Sequence, residues 1–363
     1  MLYRVEILDT NDAVVDIVRT MIPFDDNGTV LQFDDYLSNY GQCRFRVKLK
    51  DPMASTDKFK PFQYRIRIKR ANKTVWFGVI TDNPQRTTKY IDIEARTLLW
   101  YFTRVQVSND ANSDYRSFTT GSMLTAVTTL FNEGKNRANS PMSDFTAGTI
   151  ENPDYPWPPL STTWAFSDVY KMEYTYANLF DVIFNMAAVA NCDFEVTPAK
   201  VFNFYRDKGS IKENVSFQWG ANGAIEDFNS PLYGSRMANK LTVIGYDKDY
   251  KFIKSDQQDT ASITANKELW QIVAYNEVLA QDILNAKAID ELELRKYPDT
   301  ELSITLNDKA LPFGMYELGD YVWIKIKTGI ININEPRRVV GWVVKINEND
   351  RETVRLITNK RKT

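Results

Sequence analysis

Histidine is absent from all 363 residues of this chain. That removes histidine triads, histidine general acids and bases, HExxH zinc sites and haem ligation by histidine. Cysteine is scarce: Cys43 and Cys192 stand far apart, with no CxxC, so they build neither a zinc site nor a disulfide framework. Two buried, reduced thiols are expected. No window reaches the ~18–20 apolar residues of a membrane span. The opening Met1–Ile7 carries Arg4 and Glu6 where a signal peptide needs an apolar core, so synthesis and folding in a cytoplasm are expected. Charge of one sign is not in excess: 45 Lys and Arg stand against 47 Asp and Glu, a net charge of −2. Nothing therefore pulls the whole chain toward nucleic acid or an acidic membrane. Low-complexity tracts and close internal repeats are also missing.

What remains is ordinary globular material, with hydrophobic residues at 43% and charged residues at 25%, long enough for two or three domains of about 100–200 residues each. Aromatic residues are abundant at 13%, which suits β-structure and large interfaces. From Gln42 to Lys50 the period is two: Cys43, Phe45, Val47 and Leu49 alternate with Arg44, Arg46, Lys48 and Lys50. Tyr64–Arg70 repeats the pattern, with Arg65, Arg67 and Lys69 outward. Residues 75–80 and the alternating 91–95 read as strands, and Leu98–Phe102 closes a barrel-like block.

The middle of the chain changes character. A helix is expected over 117–131. Four prolines between Asn152 and Pro159 then impose a stiff, extended stretch. An amphipathic helix over 176–190, with Leu179, Val182, Ile183, Met186 and Val189 as its stripe, leads into short strands at 194–196 and 201–205. The last block opens with the strand 239–245 and contains a long helix over 275–296 ended by Pro298. Its strands follow at 301–306, 321–326, 338–346 and 353–357. The fold class is therefore mainly β with an α+β insertion.

Each feature with chemical potential has a plainer reading beside it. The basic residues Arg44, Arg46, Lys48, Lys50, Arg65, Arg67 and Lys69 could meet DNA phosphates, but like charges on one sheet face repel, so acidic neighbours or partners are expected near them. They are candidate subunit-interface residues or a simply solvated face. Tyr155, Trp157 and Trp164, in a stretch crowded with aromatics, are candidate partner contacts or packing for the proline-rich segment. Asp25-Asp26-Asn27-Gly28 and Asp34-Asp35 lack the ligand alternation of a calcium loop, and Asp-Asn-Gly is a turn signal. Gly134-Lys135 lacks the rest of a phosphate loop. Glycosidases need no histidine, and Glu173, Asp181, Asp193 and Glu195 lie near the aromatic stretch, yet no two are fixed at a working separation. A cell-wall glycosidase or carbohydrate-binding protein is the alternative reading. No catalytic residue, cofactor or metal is assigned.

The order of the pieces resembles the central hub proteins of bacteriophage tails, the baseplate-hub or tail-tip hub family that also occurs in contractile injection machines. The matching pieces are Phe77–Ile80 followed by Ile91–Leu99, the helix-and-strands unit 176–206, Asn239–Gly245, the helix 275–296, and Leu318–Trp323 with the closing strands. The resemblance implies two tube-type β-barrel domains, 1–105 and 239–363, around a middle domain, 106–238. It further implies a homotrimer with pseudo-sixfold symmetry in the virion, joining a tail-tube or distal-tail ring to a spike, fibre or receptor-binding apparatus. Its channel would pass DNA or a tape-measure protein, and no enzymatic activity is implied.

Overall fold

The computed structural model describes all residues except 1, 50–57, 110–115, 118–122, 152–172, 232–234, 236, 248, 276–277, 297–300, 308–312, 330 and 361–363. Alternating sequence gives alternating structure from the start. The first hundred residues form β1 (Tyr3–Leu8), β2 (Val14–Ile17), β3 (Thr29–Tyr36), β4 (Gln42–Lys48), β5 (Arg65–Arg70), β6 (Lys73–Asp82) and β7 (Tyr90–Thr97). They pair in the order β3-β4-β7-β6-β5-β1-β2. On β4, Cys43, Phe45 and Val47 are completely buried while Arg44, Arg46 and Lys48 point outward, the expected face assignment. The set curls back on itself: Val18 still donates to the Val5 carbonyl of β1, while Ile22 already donates to Arg46 of β4. Residues 18–22 thus carry the chain from the β1–β2 edge across to β4.

Leu98–Arg104, expected to close the first block, is a 3₁₀ helix. Consecutive large apolar residues cannot alternate between core and solvent, and here all five from Leu98 to Phe102 enter a second core. That core is built on β8 (Arg116–Ser117), α1 (Met123–Lys135), β9 (Thr146–Ile150), β10 (Glu173–Tyr174), α2 (Leu179–Ala190), β11 (Asp193–Val196) and β12 (Val201–Tyr205). The helix expected over 117–131 lies later in the chain, because Arg116–Ser117 pairs with β10. The helix expected from 176 starts at Leu179, because the Asn178 side chain accepts from the Asp181 N–H and caps it. Leu179, Val182, Ile183 and Met186 are buried as expected; the Val189 side chain lies outside the described residues.

The remaining elements are β13 (Ile211–Gln218), β14 (Ile225–Asn229), β15 (Lys240–Tyr246), β16 (Phe252–Gln258), α3 (Thr260–Asn266), β17 (Trp270–Ala274), α4 (Gln281–Arg295), β18 (Leu302–Leu306), β19 (Tyr321–Lys327), β20 (Asn332–Asn347) and β21 (Glu352–Lys360). The long helix starts later than the expected residue 275, because β17 pairs in parallel with β15 as far as Ala274, and Tyr275 still donates to Ile244.

Sheet membership cuts across the expected boundary at 238/239. Strands β13 and β14, expected in the middle domain, pair with β19 and β18. Conversely, β15, β16 and β17, expected in the last barrel, form their own three-stranded sheet. That sheet is backed by α4, whose buried Ile283, Leu284 and Ala288 belong to the same core as α1 and α2. The physical reason is that the apolar face of a small sheet must be covered, and α4 and the middle unit cover it together.

The set β14-β18-β21-β20-β19-β13 also closes, at a bridge between Trp219 and Ile225. The two curled sets are one sheet of 13 strands, because β20 pairs with β3 antiparallel, from Gly341 opposite Tyr36 to Asn347 opposite Thr29. A single apolar core runs through both sets. At Gly341 an added Cβ would lie 2.6 Å from the Tyr36 ring, so glycine is what lets the two strands meet there. Gly78 on β6 is tighter: a Cβ would lie 2.1 Å from the Arg96 carbonyl oxygen. Gly78→Ala is expected to lower the stability measured by urea unfolding by about 1–3 kcal/mol or more, through forced separation of β6 from β7.

Candidate interaction surfaces

The outward basic residues of β4 and β5 are met by acids on the neighbouring strands of the same chain. Register places Arg44 opposite Glu94 and Arg46 opposite Asp92. Arg46 Nη2 donates to Asp92 Oδ2 at 3.0 Å, and Arg44 Nη2 lies 3.5 Å from the same oxygen. On β5, Arg67 faces Glu6 of β1 and donates to it at 2.6 Å; Lys69 and Arg4 lie 3.4 and 3.0 Å from the other Glu6 oxygen. Burial alone would raise the Glu6 carboxyl, but the hydrogen bonds and charges of Arg67 and Lys69 outweigh it and hold it below its usual range.

Arg65 is a different kind of residue. Its side chain is 8% exposed and bonds Asp12 at 2.6 Å, with Asp144 at 3.5 Å; Lys200 pairs with both acids. Arg65 therefore ties β5 to the middle unit instead of facing outward as alternation suggested. The expected single basic face is two separate groups, on β4 and β5, with β7 and β6 between them. Lys48 is exposed. Lys50, Tyr155, Trp157 and Trp164 lie outside the described residues.

The carboxylates singled out in the sequence are also engaged. Asp181 sits in the first turn of α2 and accepts from the Asn178 side chain at 2.6 Å. Asp193 is buried and forms a two-pronged ion pair with Arg338 of β20, with Nη1 to Oδ1 at 3.3 Å. Arg338 further donates to the Lys208 carbonyl at 2.7 Å and the Gly319 carbonyl at 3.3 Å, and pairs with Asp207 at 2.8 Å. Burial opposes its charge, but Asp193 and Asp207 outweigh that and raise its pKa. Glu195 pairs with Lys208 and accepts from Tyr205 Oη at 3.1 Å. The Glu173 backbone pairs with Ser117; its side chain lies outside the described residues. Asp25, considered for calcium, instead accepts from the Asn27 and Thr29 N–H groups as a turn. Among the described residues no cluster of three acids or cysteines could hold a metal, and no helix is long and apolar enough to cross a membrane.

The sequence shows neither the pairing of Asp193 with Arg338 nor the enclosed position of Asp35, which enters there only as a candidate calcium ligand. Asp35, on β3, lines a cavity of about 330 Å³ with Glu195, Lys208, Trp76, Tyr316 and Trp342, contributed by both curled sets and the middle unit. Burial, with smaller contributions from Glu195 and Asp34, pushes its pKa up to about 8 against the pull of the Tyr36 N–H and Lys208. An acid raised in this way keeps its proton in the folded protein where the unfolded chain has lost it, so stability falls as pH rises from about 4 toward 8. Asp35→Asn is expected to flatten that fall, gaining on the order of 1–3 kcal/mol at pH 8 relative to pH 5 in urea titrations. An unchanged pH dependence would show that Asp35 does not titrate there.

A 13-stranded sheet of two curled sets, with a helix-bearing unit inserted, defines the class of fold. No protein-family profile matches the sequence, and no curated protein sequence matches it. Among solved structures, the fold is similar to a tail protein from Neisseria meningitidis MC58, at a TM-score of 0.67 and 12% identity, over 99% of this chain and 96% of that one. It is also similar to the 43 kDa tail protein of prophage MuSo2 from Shewanella oneidensis, at 0.67 and 10%, over 98% of both chains. A third match is the E. coli c3393 protein, a type VI secretion component structurally similar to the phage T4 tail proteins gp27 and gp5, at 0.50 and 11%, over 92% of this chain and 73% of that one. At these identities the likeness is one of fold. The chain has the fold of these tail proteins, in keeping with the resemblance read from the order of its sequence pieces.

Proposed function

We propose that the protein is a structural, non-enzymatic hub at the distal end of a bacteriophage tail. In this reading three copies form a ring that joins the tail tube or distal tail ring to a spike, fibre or receptor-binding apparatus and lines the channel for DNA or a tape-measure protein. The observation that carries the reading is the pairing of β3 with β20, which sets two curled β sets side by side in every chain. Three copies then offer six similar units to a sixfold tube and three to a threefold spike. The whole-chain likeness to tail proteins supports the same placement.

The cell-wall glycosidase reading has less behind it. Asp193 is buried in its ion pair with Arg338, and Glu195 is paired with Lys208, so both already have structural partners. The outward basic residues of β4 and β5 stay proposed subunit contacts, in which a neighbouring subunit's acids would compete with Asp92, Glu94 and Glu6. Tyr155, Trp157 and Trp164 stay proposed partner contacts.

Nanogold labelling of intact and tail-disrupted particles tests the placement: label at the tail tip, exposed on disruption, is expected. Native mass spectrometry tests the trimer. Protein found free in infected cells and absent from particles would end the hub reading. Clearing of cell-wall suspensions by the purified protein, lost on Glu173 or Asp181 substitution, would restore the enzyme.

A further inference from the structure

An open cleft of about 730 Å³ lies between the first curled set and the middle unit, lined among others by Phe62, Arg65, Trp100, Arg104, Ser140 and Asp144. Phe62 is anomalous in two respects. Its backbone is left-handed, φ +64°, where glycine or asparagine is the ordinary choice and a bulky side chain is an outlier. Its ring is also 52% exposed. The ring stacks on Trp100, centroids 5.8 Å apart and planes 17° from parallel, and so keeps Trp100 largely covered while presenting an apolar surface to the cleft. Tyr176 and Tyr250 are also exposed, left-handed aromatics, so what marks Phe62 is its place on the cleft wall beside Trp100 and Arg104.

The charge of the cleft is as informative. Arg65 and Lys200 are balanced by Asp12 and Asp144. Arg104 is exposed and packs over Trp100 at 4.5 Å; among the described residues no carboxylate lies within ion-pair distance of it. The cleft therefore offers one apolar ring and one unbalanced cation. Of its other polar groups, Arg65 and Asp144 are committed to each other's network and the Ser140 hydroxyl to the Gly134 carbonyl at 2.7 Å, while Thr10, Asn11 and Ser143 also line it. A neutral sugar ring could use such polar partners but would leave the Arg104 charge unanswered. An aromatic side chain beside a carboxylate needs a ring and a cation, and both are present.

We propose that this cleft docks a segment of a neighbouring tail protein in which an aromatic side chain sits next to a carboxylate. The ring stacks on Phe62 and the carboxylate meets Arg104. This rests on reading the chain as part of a tail assembly.

The test titrates the full chain with N-acetyl-aspartyl-phenylalaninamide, its asparaginyl analogue and glucuronic acid, followed by ligand-observed saturation-transfer NMR. Saturable transfer to the phenyl protons is expected, with a Kd on the order of 1 mM, weakened about tenfold in the asparaginyl analogue. Arg104→Gln and Phe62→Gly are expected to abolish the preference for the acidic peptide and the ring transfer, respectively. Glycine relieves the left-handed backbone and keeps the N–H that bonds Ile80, so Phe62→Gly should melt no lower than a few degrees below the parent; a fold failure in this variant is checked against Phe62→Asn. Absence of transfer, transfer indifferent to both substitutions, or glucuronic acid binding with the same dependence on Arg104 and Phe62 would each overturn the peptide assignment. Tail-tip labelling with a silent titration would overturn this proposal alone, whereas absence from particles would overturn the hub reading itself.

Discussion

Arg338→Ala is expected to lower the unfolding free energy by about 3–5 kcal/mol, because it strands a buried charge. The Asp193 carboxylate, 6% exposed, would keep the Lys208 N–H as a hydrogen-bond donor but lose the cation that balances it. The Lys208 and Gly319 carbonyls would lose a donor at the same time. Replacing both partners by apolar residues of similar size, Arg338→Met with Asp193→Leu, is expected to recover most of the loss, since the cost of a broken pair lies mainly in the charge left behind. Urea unfolding of Arg338→Met, Asp193→Leu and the double variant closes the cycle. A loss under about 1 kcal/mol for Arg338→Ala would mean that water reaches the junction and solvates Asp193. The consequence for assembly follows from position: this pair fastens β11 of the middle unit to β20, the strand that also joins the two curled sets. Its loss should loosen the inserted unit before the sheet itself.

Phe33→Ala should cost a comparable amount, about 3–5 kcal/mol, as expected for emptying a well-packed aromatic site. Phe33 is fully buried on β3 and meets Tyr3, Phe313 and Trp342 edge-on, with centroids 5.6, 6.2 and 5.7 Å apart. Tyr3 belongs to the first curled set, whereas Phe313 and Trp342 belong to the second half of the chain. The ring therefore sits where the two sets share their core. The expected signature is a single transition, with tryptophan fluorescence and far-UV circular dichroism moving together at a lower urea midpoint. Two separated transitions in the variant would show that the sets are independent folding units with a weak seam.

The outward face shows how far sequence reasoning reaches. Arg44 and Arg46 on one strand and Asp92 and Glu94 on another are both written as alternating charge, and complementary alternation is legible without coordinates. What could not be read was that these strands are neighbours, which depends on a hairpin order set by the packing of the whole set. Arg65 breaks the pattern for a related reason. It occupies an outward register position, yet Asp12, Asp144 and Lys200 from three separate segments converge on it, and the middle unit covers it. The candidate cleft was less visible still. Phe62, Trp100 and Arg104 give no motif, and their meeting depends on a left-handed residue next to Pro61.

By itself, the sequence determined the β character of the two ends, the inward and outward residues of β4, the apolar stripe of α2 and the exclusion of histidine chemistry. These follow from local periodicity and composition, which need no knowledge of distant contacts. Tertiary structure alone decided that β13 and β14 complete the last curled set, that β15–β17 leave it, and that β3 and β20 fuse the sets into one sheet. Strand pairing between segments hundreds of residues apart is chosen by which edges and apolar faces remain uncovered once everything else has packed. No local pattern encodes that choice.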